Sequence, residues 1–414
     1  SKDWGSGNTK IIYGVKVWGV NSYGLAGNTF NKYMKLQGSN DNSSWTDLQT
    51  WNSARYGSWT TSSSTDVGHI SDRHSEISVG HQPDLVFIKN RDSSSQDGWF
   101  DSLRRSSEGS YFPIHTHSTD AHDSDGLAFR DLTEFTKNGF KLGHQYSSIV
   151  YDQNENYVVW TWKAGGNKNT FNVDDVGYAT AAAAGLTAGD TTIAGASVGT
   201  KQGFSIIKYT GPNDTSAHEV AHGLSQAPDF IITKNLDATY NWDIYHSALG
   251  DNEYLIFTTA GTDSGRFSGR PTSTVFKTAH DYSTNENQDY IAYCWHNVPG
   301  LQKFGSYTGN NSSDGPFVEL GFRPAVIIIK DTGAGQEWVI IDTERGSYNP
   351  IDNILQINLN DQEYTNSSYN VDALSNGFKV RGTNGRFNSN NQTYVYMAWA
   401  EAPSVDLYGG GANA

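Results

Sequence analysis

The sequence predicts an all-β protein built of tandem β-sandwich repeats, jelly-roll-like in kind, behind a partial β module. Three observations predict it. Short runs rich in Val, Ile, Phe, Tyr and Trp lie between turn residues, as strands do. No stretch sustains an apolar period of 3.6 residues. The same set of strand-like segments returns three times along the chain.

The first segment of each repeat is a Pro-to-Lys run: Pro83-Asp84-Leu85-Val86-Phe87-Ile88-Lys89, Pro228-Asp229-Phe230-Ile231-Ile232-Thr233-Lys234 and Pro324-Ala325-Val326-Ile327-Ile328-Ile329-Lys330. A glycine precedes each, at Gly80, Gly223 and Gly321. Proline fits the first residue of a strand, where no ladder donor is lost. A second strand carries a tryptophan, at Trp99, Trp242 and Trp338. A third is Asn138-Gly139-Phe140-Lys141-Leu142, matched by Val275-Phe276-Lys277 and by Asn376-Gly377-Phe378-Lys379-Val380. The closing strands are Tyr157 to Trp162, Tyr290 to Trp295 and Tyr394 to Trp399. Both faces of these closing strands are apolar, which predicts a central strand covered on both sides. Copies two and three also open with a shared strand, Phe204 to Gly211 and Phe304 to Gly309, and copy one lacks it.

These landmarks set the expected organisation: a partial β module over 1–66, repeats over 67–166, 203–299 and 300–404, and a Gly-rich tail over 405–414. The Ala-, Gly- and Thr-rich stretch 167–202 shows no periodicity and reads as an exposed linker. Copies two and three meet at Pro299-Gly300 with almost no linker, which predicts a rigid pair.

Composition narrows the function. Of 414 residues, 44 are Asp or Glu and 29 are Lys or Arg, giving a net charge of −15. Without clustered cations, nucleic acid and anionic membrane surfaces are poor partners. No apolar run approaches a membrane span. The single cysteine, Cys294, makes no intrachain disulfide and reads as a buried thiol, in keeping with synthesis in a reducing cytoplasm. No signal peptide is visible after Ser1, and residues upstream of it are left open.

No catalytic pattern emerges: there is no nucleophile elbow, P-loop or zincin helix. Asp101 and Asp342 follow the strand tryptophan in copies one and three, with Arg104 and Arg345 three residues on and His246 near that place in copy two. A carboxylate pair could cleave a glycosidic bond, but a salt bridge tying a strand end is the plainer reading. His115, His117 and His122 lie among aspartates as candidate transition-metal ligands, against the plainer reading of a polar loop. Asn40 and Asp41 could offer oxygens to a structural Ca²⁺, though turn chemistry accounts for them. No cofactor is expected. Trp51, Tyr56 and Trp59, in a Ser- and Thr-rich stretch, are the candidate ligand-binding aromatics, with burial against a neighbouring module as the alternative.

Two resemblances add to this reading. Lys35-Leu36-Gln37-Gly38-Ser39-Asn40-Asp41, continuing through Trp45-Thr46, resembles the discoidin (galactose-binding-like) module over about half its length. The repeat region resembles tail-fibre-like or structural virion proteins of marine bacteriophages. The match is carried by Trp162-Lys163-Ala164-Gly165-Gly166, Gly321-Phe322-Arg323-Pro324, Asn376-Gly377-Phe378-Lys379 and Tyr396-Met397-Ala398-Trp399-Ala400-Glu401. The resemblance implies a non-enzymatic protein of the virion surface, oligomeric with a trimer favoured, whose partners are other virion proteins and a host cell-surface glycan or receptor. A purely structural virion role, such as capsid decoration or a tail component, is the alternative.

Overall fold

The computed structural model describes the backbone of residues 33–38 and 46–52, and residues 75–401 apart from 107–109, 123–130, 144–148, 151–154, 213–215, 280–286 and 334. The chain forms two units, Ser1–Ser75 and Glu76–Ala414. In the first, Tyr33–Gly38 pairs antiparallel with Thr46–Asn52, and the register shifts between Leu36 and Gln37. Trp51 lies on the second of these strands. Tyr56, Trp59, Asn40 and Asp41 lie outside the described residues.

The second unit is all-β and sandwich-like. Its three repeats are built on one register. Leu85, Phe230 and Val326, each two residues after the leading proline, stand opposite Trp162, Trp295 and Trp399 of the closing strands. On the other side the same residues stand opposite Asp101, His246 and Asp342. The repeat is therefore structural as well as sequential. In each copy a second small sheet covers the outer face: Ser75–Ser78, Gly139–Leu142 and Leu132–Thr136; His218–Ala221 and Val275–Thr278; and Phe317–Glu319, Gly377–Val380 and Val371–Leu374.

The inner faces do not make three separate cores. Leu85, Phe87, Trp99 and Trp160 of the first copy, Phe230, Trp242, Tyr293 and Trp295 of the second, and Ile328, Trp338, Met397 and Trp399 of the third belong to one apolar cluster. Three further clusters lie between each inner sheet and its outer one. Alternation explains this division: along Tyr290 to Trp295, Ile291, Tyr293 and Trp295 face the shared core while Tyr290, Ala292 and Cys294 face the outer one. Copies two and three, expected to pack as a pair, share this core with copy one.

The recurring lysine has a structural use. Lys89, Lys234 and Lys330 are buried. Lys89 Nζ donates to the carbonyl of Leu359 in the third copy at 2.7 Å, and Lys234 Nζ to that of Thr119 in the first at 3.0 Å. Lys330 Nζ donates to Gln336 O at 2.9 Å. A long apolar stem crossing the core with its charge on carbonyls is what Lys supplies here.

The stretch 167–202 is not an exposed linker. Phe171–Val173, Val176–Tyr178 and Thr192–Gly199 are strands that extend the inner sheet of the second copy. Ile193, Ala196 and Val198 are buried. Small residues hid this strand from a search for bulky alternation, and they are needed: a Cβ on Gly165 would stand 2.3 Å from Val198 N. Ser197 Oγ accepts from Gly165 N and donates to Gly166 O, both at 2.9 Å, so the Trp162-to-Gly166 turn is stitched to this strand.

Candidate functional site

The ionisable groups that recur in the repeats meet at the seams between them. Asp101 accepts from Arg104 Nε at 2.5 Å and from the Tyr293 hydroxyl of the second copy at 2.6 Å. His246 of the second copy contacts the Tyr396 carbonyl of the third through Nε2 at 3.2 Å. Asp342 of the third accepts from Arg345 Nε at 2.6 Å and from Trp160 Nε1 of the first at 3.2 Å. The three equivalent positions therefore close a ring, first copy to second, second to third, third to first. His246 Nδ1 accepts from Ala248 N at 3.1 Å, so Nε2 carries the proton and the ring is neutral. Burial accordingly lowers its pKa to about 4. Arg104 is held charged by Asp101 despite its burial. The salt-bridge reading of Asp101 and Asp342 is what the structure shows.

Two of the three candidate metal ligands, His115 and His117, are brought together, with 5.5 Å between ring centroids, and the third is not. His117 Nδ1 is 3.3 Å from the buried Asp97 carboxylate, and His115 Nδ1 meets the Asp97 carbonyl. His122 instead stacks on Phe112, with 5.0 Å between centroids. Asp97 is also paired with Lys89 and accepts from Thr116 N and Oγ1. Burial raises its pKa, but these partners outweigh it and hold the carboxyl down at about 2. Among the described residues no group of three His, Cys, Asp or Glu side chains is disposed to hold a metal.

Among the described residues, one opening lies where the three copies meet. The closing tryptophans of the three copies touch: Trp162 lies 6.4 Å from Trp295 and 5.4 Å from Trp399, and the latter two are 6.2 Å apart. Phe204 of the second opening strand stacks on Trp295 at 4.4 Å, and Phe304 of the third lies edge-on to Trp399 at 5.7 Å. In the second and third copies the closing strand is flanked by the opening strand and the Pro-to-Lys strand. In the first copy Tyr157–Trp162 ends its sheet, with Leu85–Asn90 as its single neighbour among the described residues. A groove of about 350 Å³ follows this edge. Its walls include every residue from Val158 to Lys163, and across from them Phe204, Gln302, Val326, Asp342, Glu344 and Trp399. Trp295 and Trp399 are 1% and 8% exposed, whereas Trp162 is only half-buried beside the groove. Trp162 thus departs from the fully buried core position that its place in the repeat predicts. The groove was not among the candidate sites drawn from sequence, although the signal was there: the opening-strand signature that copy one lacks.

Fold and groove together define an all-β, three-repeat body with a shared core, in which the first copy's closing strand ends its sheet among the described residues. Residues 57–403 match the family described as Domain of unknown function (DUF7483), and the chain belongs to that family. No curated protein and no solved structure matches it.

Proposed function

We propose that the chain is a surface component of a bacteriophage particle that works by binding, with host-surface glycans as its target, and not by turnover. The observation that carries this reading is the fate of the recurring ionisable set. Asp101, His246 and Asp342 are buried and committed to the seams between repeats, where catalysis would need groups that converge on a reachable substrate. The acidic, charge-poor chain supports the same reading, since it suits neither genome packaging nor anionic membranes. So does the likeness of the repeat motifs to those of tail-fibre-like virion proteins. Weak sites repeated over many copies on one particle would raise the effective concentration of each successive contact.

The test is adsorption. The purified protein is expected to bind host cells saturably, and antibodies against it to block infection. Release of sugars from host polysaccharide with measurable turnover, or absence of cell binding, would overturn the proposal.

A further inference from the structure

In a chain with 44 acidic residues against 29 Lys and Arg, an arginine seldom lacks a carboxylate. Arg91, Arg104, Arg270, Arg323, Arg345 and Arg381 each meet one through Nε at 2.5–3.0 Å. Arg266 lies 3.6 Å from Asp243. Among the described residues two arginines have no carboxylate: Arg105, exposed and over the Tyr111 ring, and Arg386, half-buried on the third copy. Arg386 lies in the helical turn Gly385–Asn388, just ahead of the closing strand Thr393–Ala400. Its guanidinium is held along one side. Nη1 donates to the Tyr364 hydroxyl at 2.6 Å and to the Tyr369 hydroxyl at 2.8 Å, and the cation lies 5.5 Å over the Tyr369 ring. The buried Gln356 amide, turned with its oxygen to the guanidinium, accepts from Nη1 and Nη2 at 3.2 Å. No described acceptor meets Nε. Glu363, next to Tyr364 in the chain, is committed to Arg91, Arg345 and Asn353.

We infer that Arg386 binds a carboxylate carried by the ligand, and that the ligand is a glycan bearing uronic acids. The chain supplies the template. Arg91 offers Nε and Nη2 to the two oxygens of Glu363 at 3.0 and 2.9 Å, and Arg386 keeps the same edge of its guanidinium available. Two parallel charge-assisted bonds suit a planar carboxylate in strength and in geometry. The two tyrosine hydroxyls fix the plane of the guanidinium beforehand, so little order is lost on binding. The net charge of −15 opposes an anion at long range. That field is screened beyond about 8 Å at physiological salt, so the contact itself decides. The sugar half of this inference rests on the glycan-binding reading above, and the carboxylate half on the geometry around Arg386.

The experiment titrates the full chain with a hexamer of galacturonic acid by isothermal titration calorimetry. Saturable binding is expected. Methyl esterification of the hexamer, which removes its charge and keeps its rings, should weaken binding at least tenfold. Arg386→Gln should do the same, while Arg386→Lys, which keeps the charge and loses the fork, should recover only part. Tyr364→Phe keeps the ring and removes a hydroxyl that positions the guanidinium. It should weaken binding with an unfolding midpoint near wild type, which separates a lost site from a lost fold. Equal binding of acid and ester would overturn the inference, as would wild-type affinity in Arg386→Gln. No binding of the hexamer would overturn it too. If the chain still adsorbs to host cells in that case, the glycan reading stands and this inference alone falls. Binding of inorganic phosphate without binding of the hexamer would assign the site to a phosphate and overturn the claim of a carboxylate.

Discussion

Trp295→Ala probes the shared core at its centre. The side chain is 1% exposed. Phe204 stacks on it at 4.4 Å and Phe230 at 5.3 Å, while Trp162 and Trp399 meet it edge-on from the other two copies. Truncating a buried aromatic costs about 3–5 kcal/mol in transfer and cavity energy. Aromatic pairs carry about 0.5–1.5 kcal/mol each beyond area. The neighbours come from three sheets that cannot all close in, so relaxation is limited and the upper end, about 5 kcal/mol, is expected. Trp162→Ala is the matched control, since it occupies the same register position but is half-buried at the groove. Its loss should be roughly half as large. Denaturant unfolding followed by far-UV circular dichroism reads both. Equal losses for the two variants, or a Trp295→Ala midpoint matching wild type, would refute the shared-core reasoning.

Further outcomes follow from the seams. Asp101→Ala strands the buried Arg104 without its carboxylate and should cost about 3–5 kcal/mol; Asp101→Ala with Arg104→Met should recover part of it, and equal instability of the double variant would contradict the pairing. Burial lowers the pKa of His81, His222 and His246 to about 4. Their contribution to stability is complete above the unfolded value of about 6.5 and is lost as pH falls towards 4, by about 2 kcal/mol each at pH 5. Asp84 opposes them: burial raises it to about 6, so its contribution is complete below its unfolded value and is lost as pH rises through 6. Three histidines outweigh one aspartate, so unfolding midpoints should drop between pH 7 and 5, and His246→Gln should flatten the drop; a pH-independent midpoint would refute this. Cys294 is fully buried and its pKa is pushed far up by desolvation. It should resist thiol reagents until the protein unfolds, and rapid labelling of the native chain would contradict its place in the outer core.

The repeat was legible in the sequence because strands with fixed spacing and both faces apolar leave a strong signal. The Pro-to-Lys and Tyr-to-Trp segments became neighbouring strands in the same register in all three copies. What the pattern could not say was what covers each face. Tyr293 and Cys294 are equally buried, yet one faces the sister repeats and the other the copy's own outer sheet. Thr192–Gly199 was misread because Ala, Gly and Ser pack there by close approach and not by bulk. The exchange of Asp101 and Asp342 for His246 was visible as a difference. Its meaning needed the partners, because the tyrosine or tryptophan that donates to each aspartate gives way to Met397 in the third copy, where His246 turns to a backbone carbonyl.

The proposal as a whole turns on where this body sits in a particle. Reconstruction of the intact virion by cryo-electron microscopy reads it directly. The account predicts the three-repeat body on the outer surface. Density for the chain inside the shell would contradict it.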